Sequence, residues 1–115
     1  MAFYIVVHHP DDPDPTKWAN EWDGGGLLRT ITTPRSVANR CRLARDRRER
    51  IFVHRCAWGG INATIRRSVE VSDVNDIDRS TALVRFSDPK LLDAEPSVFP
   101  QQGQNSYDAE PPAGA

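Results

Sequence analysis

At 115 residues the chain has the length of one domain, and a hydrophobic content of 38% supports a single modest core. No apolar run approaches the ~18 residues of a membrane span, and the apolar run Phe3 to Val7 is short with no basic segment before it, so neither a membrane segment nor a signal peptide is expected and the protein reads as cytoplasmic. The net charge of -1 hides a segregation: residues 35 to 50 carry seven arginines (35, 40, 42, 45, 47, 48, 50) against Asp46 and Glu49, whereas residues 11 to 23 and 88 to 115 are acidic.

Phe3-Tyr4-Ile5-Val6-Val7, β-branched and aromatic throughout, predicts a central strand. Pro10, Pro13 and Pro15 then forbid both helix and ladder pairing, so a loop follows. Thr16 to Gly26 reads as a single helical turn ending in three glycines. Its two tryptophans, Trp18 and Trp22, either cap one end of the core or wall a pocket for a flat ligand. Leu27 to Ile31 is a second short strand or an extended connector. Thr33 as N-cap and Pro34 at the first helical position open a helix over 34–48. Val37, Ala38, Cys41 and Ala44 form its apolar face, and its arginines lie outside.

The centre of the chain, Arg50 to Val71, predicts a hairpin turning at Trp58-Gly59-Gly60, whose second half alternates apolar and polar positions. Arg67 interrupts the apolar set and calls for a carboxylate partner such as Asp23, or a bound anion. Residues 73 to 78 read as a turn-rich connection. Thr81 to Phe86 reads as a strand ended by Ser87-Asp88-Pro89, with Leu91-Leu92 as a last turn. From Pro96 the composition is that of a flexible tail. The expected architecture is one α+β domain over residues 1–95, a small, partly closed, mostly antiparallel β-barrel with one main helix, followed by a disordered tail over 96–115.

Catalytic and metal chemistry find little support. Cys41 and Cys56 each fall on an apolar face, where cysteine behaves as a small hydrophobe, and no CxxC pair is present. His8 and His9, adjacent on an extended chain, point to opposite sides and do not share one ion. His54 and Cys56 share a strand face, close enough to interact, but a cysteine in a strand core reads as packing and not as a nucleophile. No GxSxG, HExxH, P-loop or GxGxxG motif occurs, and no catalytic residue, metal or cofactor is expected.

The stretch from Ser36 to Asp88, with the helix SVANRCRLARD, the strand RIFVHRCAWGG, the long strand INATIRRSVEVSDV and its partner STALVRFSD, resembles the EVE and ASCH branches of the PUA-like superfamily. His8-His9-Pro10 stands where EVE domains carry a Lys-Ser-Glu-Pro-like segment. The resemblance implies a nucleic-acid-binding barrel, for DNA or RNA, which in EVE-like members holds a flipped and often modified base in an aromatic pocket. His54, Arg55 and Trp58 sit in the matching segments; Trp18 and Trp22 fall in the region that walls such a pocket.

Base capture needs an aromatic surface, hydrogen bonds to the base edge and cations for the phosphates. The residues available are Trp18, Trp22 and Trp58; His54 or Asn62; and Arg40 and Arg47 of the helix with Arg55, Arg66 and Arg67. The alternative is a small phage or mobile-element inhibitor that binds another protein through its acidic loop and tail without catalysis, with an apolar patch exposed near Trp18 and Trp22. No membrane partner is expected.

Overall fold

The computed structural model describes residues 1–8, 20–22, 28–56, 65–98 and 105–113, with the backbone alone at 8, 20–22, 28, 55, 56, 66 and 93. Seven strands and one helix follow in the order β1 (Ala2–His8), β2 (Asn20–Trp22), β3 (Leu28–Pro34), α1 (Arg35–Asp46), β4 (Ile51–Cys56), β5 (Ile65–Asp76), β6 (Thr81–Ala94) and β7 (Ser106–Ala109). The strands form one sheet in the order β2-β3-β6-β5-β4-β1-β7. Every neighbouring pair is antiparallel except β1 and β4. The result is a curled half-barrel of α+β class. Among the described residues no helix is long and apolar enough to cross a membrane.

β1 is buried on both faces, which explains its unbroken apolar sequence. Phe3, Ile5 and Val7 join the main core on the helix side, with Ile51 and Val53 of β4, Ile31 of β3, Val69, Val71 and Val74 of β5, and Ala82 and Val84 of β6. The helix contributes Ala38, Cys41 and Ala44, small residues that let its axis approach the sheet closely. Tyr4, Phe52, Ile65 and Ala109 form a second, smaller cluster on the opposite face.

The β5–β6 hairpin gives the sheet its curl. β4 pairs with its Ile65–Val69 end, and β3 pairs with Thr81–Arg85 near the other end. From Ile65 to Asp73 the ladder shifts register three times, and each shift adds twist. Of the connection expected over residues 73 to 78, only 77 and 78 belong to the turn: β5 runs to Asp76 and the reversal falls at 77–80. There Asp78 Oδ1 accepts bonds from the amides of Ser80 and Thr81 at 2.8 and 2.9 Å. Nor does Pro89 end β6, which continues to Ala94. Asp88 and Pro89 occupy an irregular interval between the Glu70–Ser87 and Ser68–Lys90 pairs, where Pro owes the ladder no N–H.

Three further expectations are corrected. Within Thr16 to Gly26, the described Asn20–Trp22 is strand paired with β3, not helix, because the edge of β3 needs a partner. Pro34, not Thr33, is the helix N-cap, and it makes no side-chain capping bond. Thr33 is held in the β3–β6 ladder opposite Ala82, and the Arg35 amide donates to Ser80 O at 3.0 Å instead. The disordered tail expected over 96–115 does not describe Ser106–Ala109, which pair with β1 as the edge strand β7. Tyr107 and Ala109 alternate with Asp108, and this local period-2 pattern prevails over the polar composition around it.

The helix C-terminus forms a Schellman motif. Glu49 N donates to Ala44 O at 2.9 Å and Arg48 N to Arg45 O at 3.0 Å, with Arg48 in the left-handed region at φ 55°.

Candidate nucleic-acid interface

The parallel register of β1 and β4 places Tyr4 beside Phe52 and Val6 beside His54, and the antiparallel register of β7 places Tyr107 directly across from Tyr4. Opposed residues share a sheet face, so three adjacent strands lay four rings on the face away from the helix. Tyr4 and Tyr107 stack with centroids 4.7 Å apart and planes within 8°. Phe52 lies 5.4 Å from Tyr4, and His54 lies 5.8 Å from Tyr4 and 5.7 Å from Tyr107. Each such pair contributes about 0.5–1.5 kcal/mol beyond its area of burial.

Polar edges complete the arrangement. His54 Nε2 shares a hydrogen bond with Tyr107 Oη at 2.5 Å. Tyr4 Oη donates to the Glu110 carbonyl, which also accepts from Ser97 Oγ at 2.6 Å. Tyr4 and His54 are fully buried and Tyr107 is half-buried. Burial raises the pKa of both tyrosines, with the neighbouring Tyr4 adding to the rise at Tyr107 and the Ser97 contact opposing it at Tyr4. The hydroxyls therefore stay protonated across the physiological range. The ring faces and polar edges of the cluster thus meet one another, with Tyr107 on the Tyr4 face and at the His54 edge.

The arginines of the helix and its exit are largely internal ties. Arg35 and Arg42 grip the two oxygens of Asp76 at 2.8 and 2.9 Å. The bond from Arg42, then the charges of Arg35 and Arg42, hold the Asp76 carboxyl below its ordinary pKa despite some desolvation. Arg40 reaches Asp108 of β7 at 2.7 Å and lies 5.0 Å over the Phe3 ring. Arg50 bonds Ser68 and Asp88. Arg45 meets Asp46 at 3.5 Å. Arg47 and Arg48 are exposed and make no side-chain bond among the described residues. The charge segregation of the sequence is thus partly complementary: Arg35, Arg40 and Arg42 of α1 pair with Asp76 of β5 and Asp108 of β7, and Arg50 beyond the helix pairs with Asp88 of β6.

Of the residues singled out from the sequence, His54, Arg55, Arg66 and Arg67 lie on paired β4 and β5, but Arg67 stands opposite Val53 of the main core and His54 opposite Ile65 of the smaller cluster, so these two fall on opposite sheet faces. Arg67 is half-buried. Arg40 is a tie to β7, and Arg47 is the helix C-cap. Trp22 ends β2, at the sheet edge opposite β7. Trp18, Trp58, Asn62 and Asp23 lie outside the described residues. Tyr4, Phe52 and Tyr107 were missed. Period-2 alternation assigns each to a strand face, but nothing local reveals that strands so far apart in sequence become neighbours.

Cys41 is buried under the helix, and desolvation, partly opposed by the charge of Arg40, raises its thiol to about 12. It is packing, not a reactive group. Among the described residues no group of three or more His, Cys, Asp or Glu is placed to hold a metal. No protein-family model matches the chain, and no curated protein or solved structure is significantly similar to it.

Proposed function

We propose that the chain is a non-catalytic module of PUA-like type that binds single-stranded nucleic acid, taking a base against the aromatic face of β1 and β4. The observation that carries this is the juxtaposition of Tyr4, Phe52 and His54 on one face of adjacent strands, with a polar ring edge among the aromatic planes. Stacking surface and edge hydrogen bonding are the two requirements of base capture. The succession of α1, β4, β5 and β6 follows the order of the stretch that resembles EVE and ASCH domains. Phosphate contact falls to Arg47 and Arg48, because Arg35, Arg40, Arg42 and Arg50 are committed to carboxylates.

A protein partner has less support. The large exposed apolar side chains among the described residues (Met1, Leu43, Ile77, Leu91 and Val98) sit on separate elements, with Ile77 and Leu91 toward opposite ends of the β5–β6 hairpin.

Fluorescence anisotropy of labelled single-stranded RNA, single-stranded DNA and duplex, titrated at several salt concentrations, tests the proposal. Binding should favour single strands with a shallow salt dependence. Two phosphate contacts give a slope of about -1.4 in log K against log salt, and Arg47→Gln with Arg48→Gln should flatten it. Failure of every oligonucleotide to bind at low salt and micromolar protein overturns the assignment.

A further inference from the structure

We infer that β7 is a detachable strap and that Tyr107 occupies the position of a bound base, so that the aromatic face opens to a nucleobase only when β7 leaves β1. The inference rests on the nucleic-acid reading above and specifies where the base goes and what guards the position. Tyr107 satisfies both requirements of a captured base from within the chain. Its ring lies flat on Tyr4, 4.7 Å away and 8° from parallel, and its one polar edge atom meets His54 Nε2. A nucleobase in the same place would stack on Tyr4 and turn a ring nitrogen or exocyclic group to His54. Without Tyr107, the buried His54 edge and one face of Tyr4 would lose their present cover, so another flat ring with a polar edge is the complementary occupant.

β7 is built to leave. It has four residues, stands at the end of the sheet and pairs only with β1. Short edge elements of this kind open at lower cost than the strands between them. Its attachments are the register from Ala2–Ala109 to Ile5–Ser106, the bond from Val6 N to Asn105 O at 2.8 Å, the Arg40–Asp108 ion pair, the bonds from Tyr4 Oη and Ser97 Oγ to Glu110 O, and the stack and hydrogen bond of Tyr107 itself on Tyr4 and His54. The ion pair joins a half-exposed aspartate to a largely buried arginine, so salt weakens this tie in part. Inside the sheet, β1 and β4 keep their own partners when β7 departs, so the aromatic face survives the opening.

Two variants test this against the wild type with the same labelled single strands. Tyr107→Ala removes the occupant while leaving the β7 backbone. Affinity should rise about tenfold, the factor expected when one stacked ring and one hydrogen bond are taken from the competing closed state. Ala2→Cys with Ala109→Cys joins a directly opposed cross-strand pair, where Cα separation suits a disulfide. The oxidised protein should lose binding, and the same sample after reduction should regain wild-type affinity. Because the lock stabilises the fold, its result stands even where Tyr107→Ala unfolds. Equal binding by the oxidised, reduced and wild-type proteins overturns the strap while leaving nucleic-acid binding intact. Absence of binding by all forms, the reduced protein and folded Tyr107→Ala included, overturns both.

Discussion

Replacing Arg50 with alanine should cost about 2–3 kcal/mol of folding stability, because this side chain holds the irregular part of the β5–β6 hairpin against the start of β4. Its Nε donates to Ser68 Oγ and its Nη2 to Ser68 O, both at 2.9 Å. Its Nη1 meets Asp88 Oδ2 at 3.0 Å and Glu70 at 3.4 Å, and Nη2 also bonds the Asp88 carbonyl. Asp88 stands at φ 46°, so the guanidinium grips a backbone turned into the left-handed region. The ion pairs contribute little, since the Asp88 and Glu70 side chains are each 53% exposed against 22% for Arg50. About 0.5 kcal/mol covers them. The larger loss is at Ser68, only 5% exposed, whose hydroxyl and carbonyl would lose a charged donor. That loss is worth about 1.5–2.5 kcal/mol. Urea denaturation of wild type and Arg50→Ala reads the total, with a fall in Tm of about 10 °C as a second measure. Arg50→Lys keeps the charge but not the planar fork and should recover less than half. Full rescue by lysine, or a loss below about 0.5 kcal/mol in alanine, would refute the hub.

Two other predictions follow from backbone and titration. Arg48→Gly should stabilise by about 1 kcal/mol in urea melts, because Arg48 holds the left-handed position of the Schellman motif at φ 55°. The same change at Arg47, which has φ -88°, should destabilise or do nothing. Stability should fall as pH rises above about 9, since the unfolded chain ionises Cys41 near 9.0 while the folded chain keeps its proton to about 12. Below pH 9 both states are protonated and the group contributes no slope. Above it the unfolded state binds fewer protons, at up to about 1.4 kcal/mol per pH unit. Cys41→Ala, though less stable at neutral pH, should show a flatter alkaline limb in denaturation midpoints measured from pH 8 to 11.

What the sequence revealed and concealed divides along one physical line. Properties set within a few residues were legible: the alternation that becomes the first part of β5, the apolar stripe of Ala38, Cys41 and Ala44, and the aromatic β-branched run that becomes β1. Antiparallel pairing of β4 with β5 was legible for the same reason, as few residues separate them. Properties set by distant pairing were not. The parallel contact of β1 with β4 joins Tyr4 to Phe52, and the β7 contact joins Tyr4 to Tyr107, across most of the chain. The arginines show how misleading local chemistry becomes when such partners are unknown. Seven within residues 35–50 look like a surface for phosphate until Asp76, Asp88 and Asp108 are folded against four of them, Arg35, Arg40, Arg42 and Arg50. Each of those aspartates lies in a stretch that reads as turn or tail. The same pairing that spends the arginines also fastens β7, because Asp108 faces the helix while Tyr107 faces the ring cluster. Alternation along one short strand therefore ties the electrostatic layer to the aromatic one, and weakening Arg40–Asp108 with salt should loosen the cover over Tyr4 and His54.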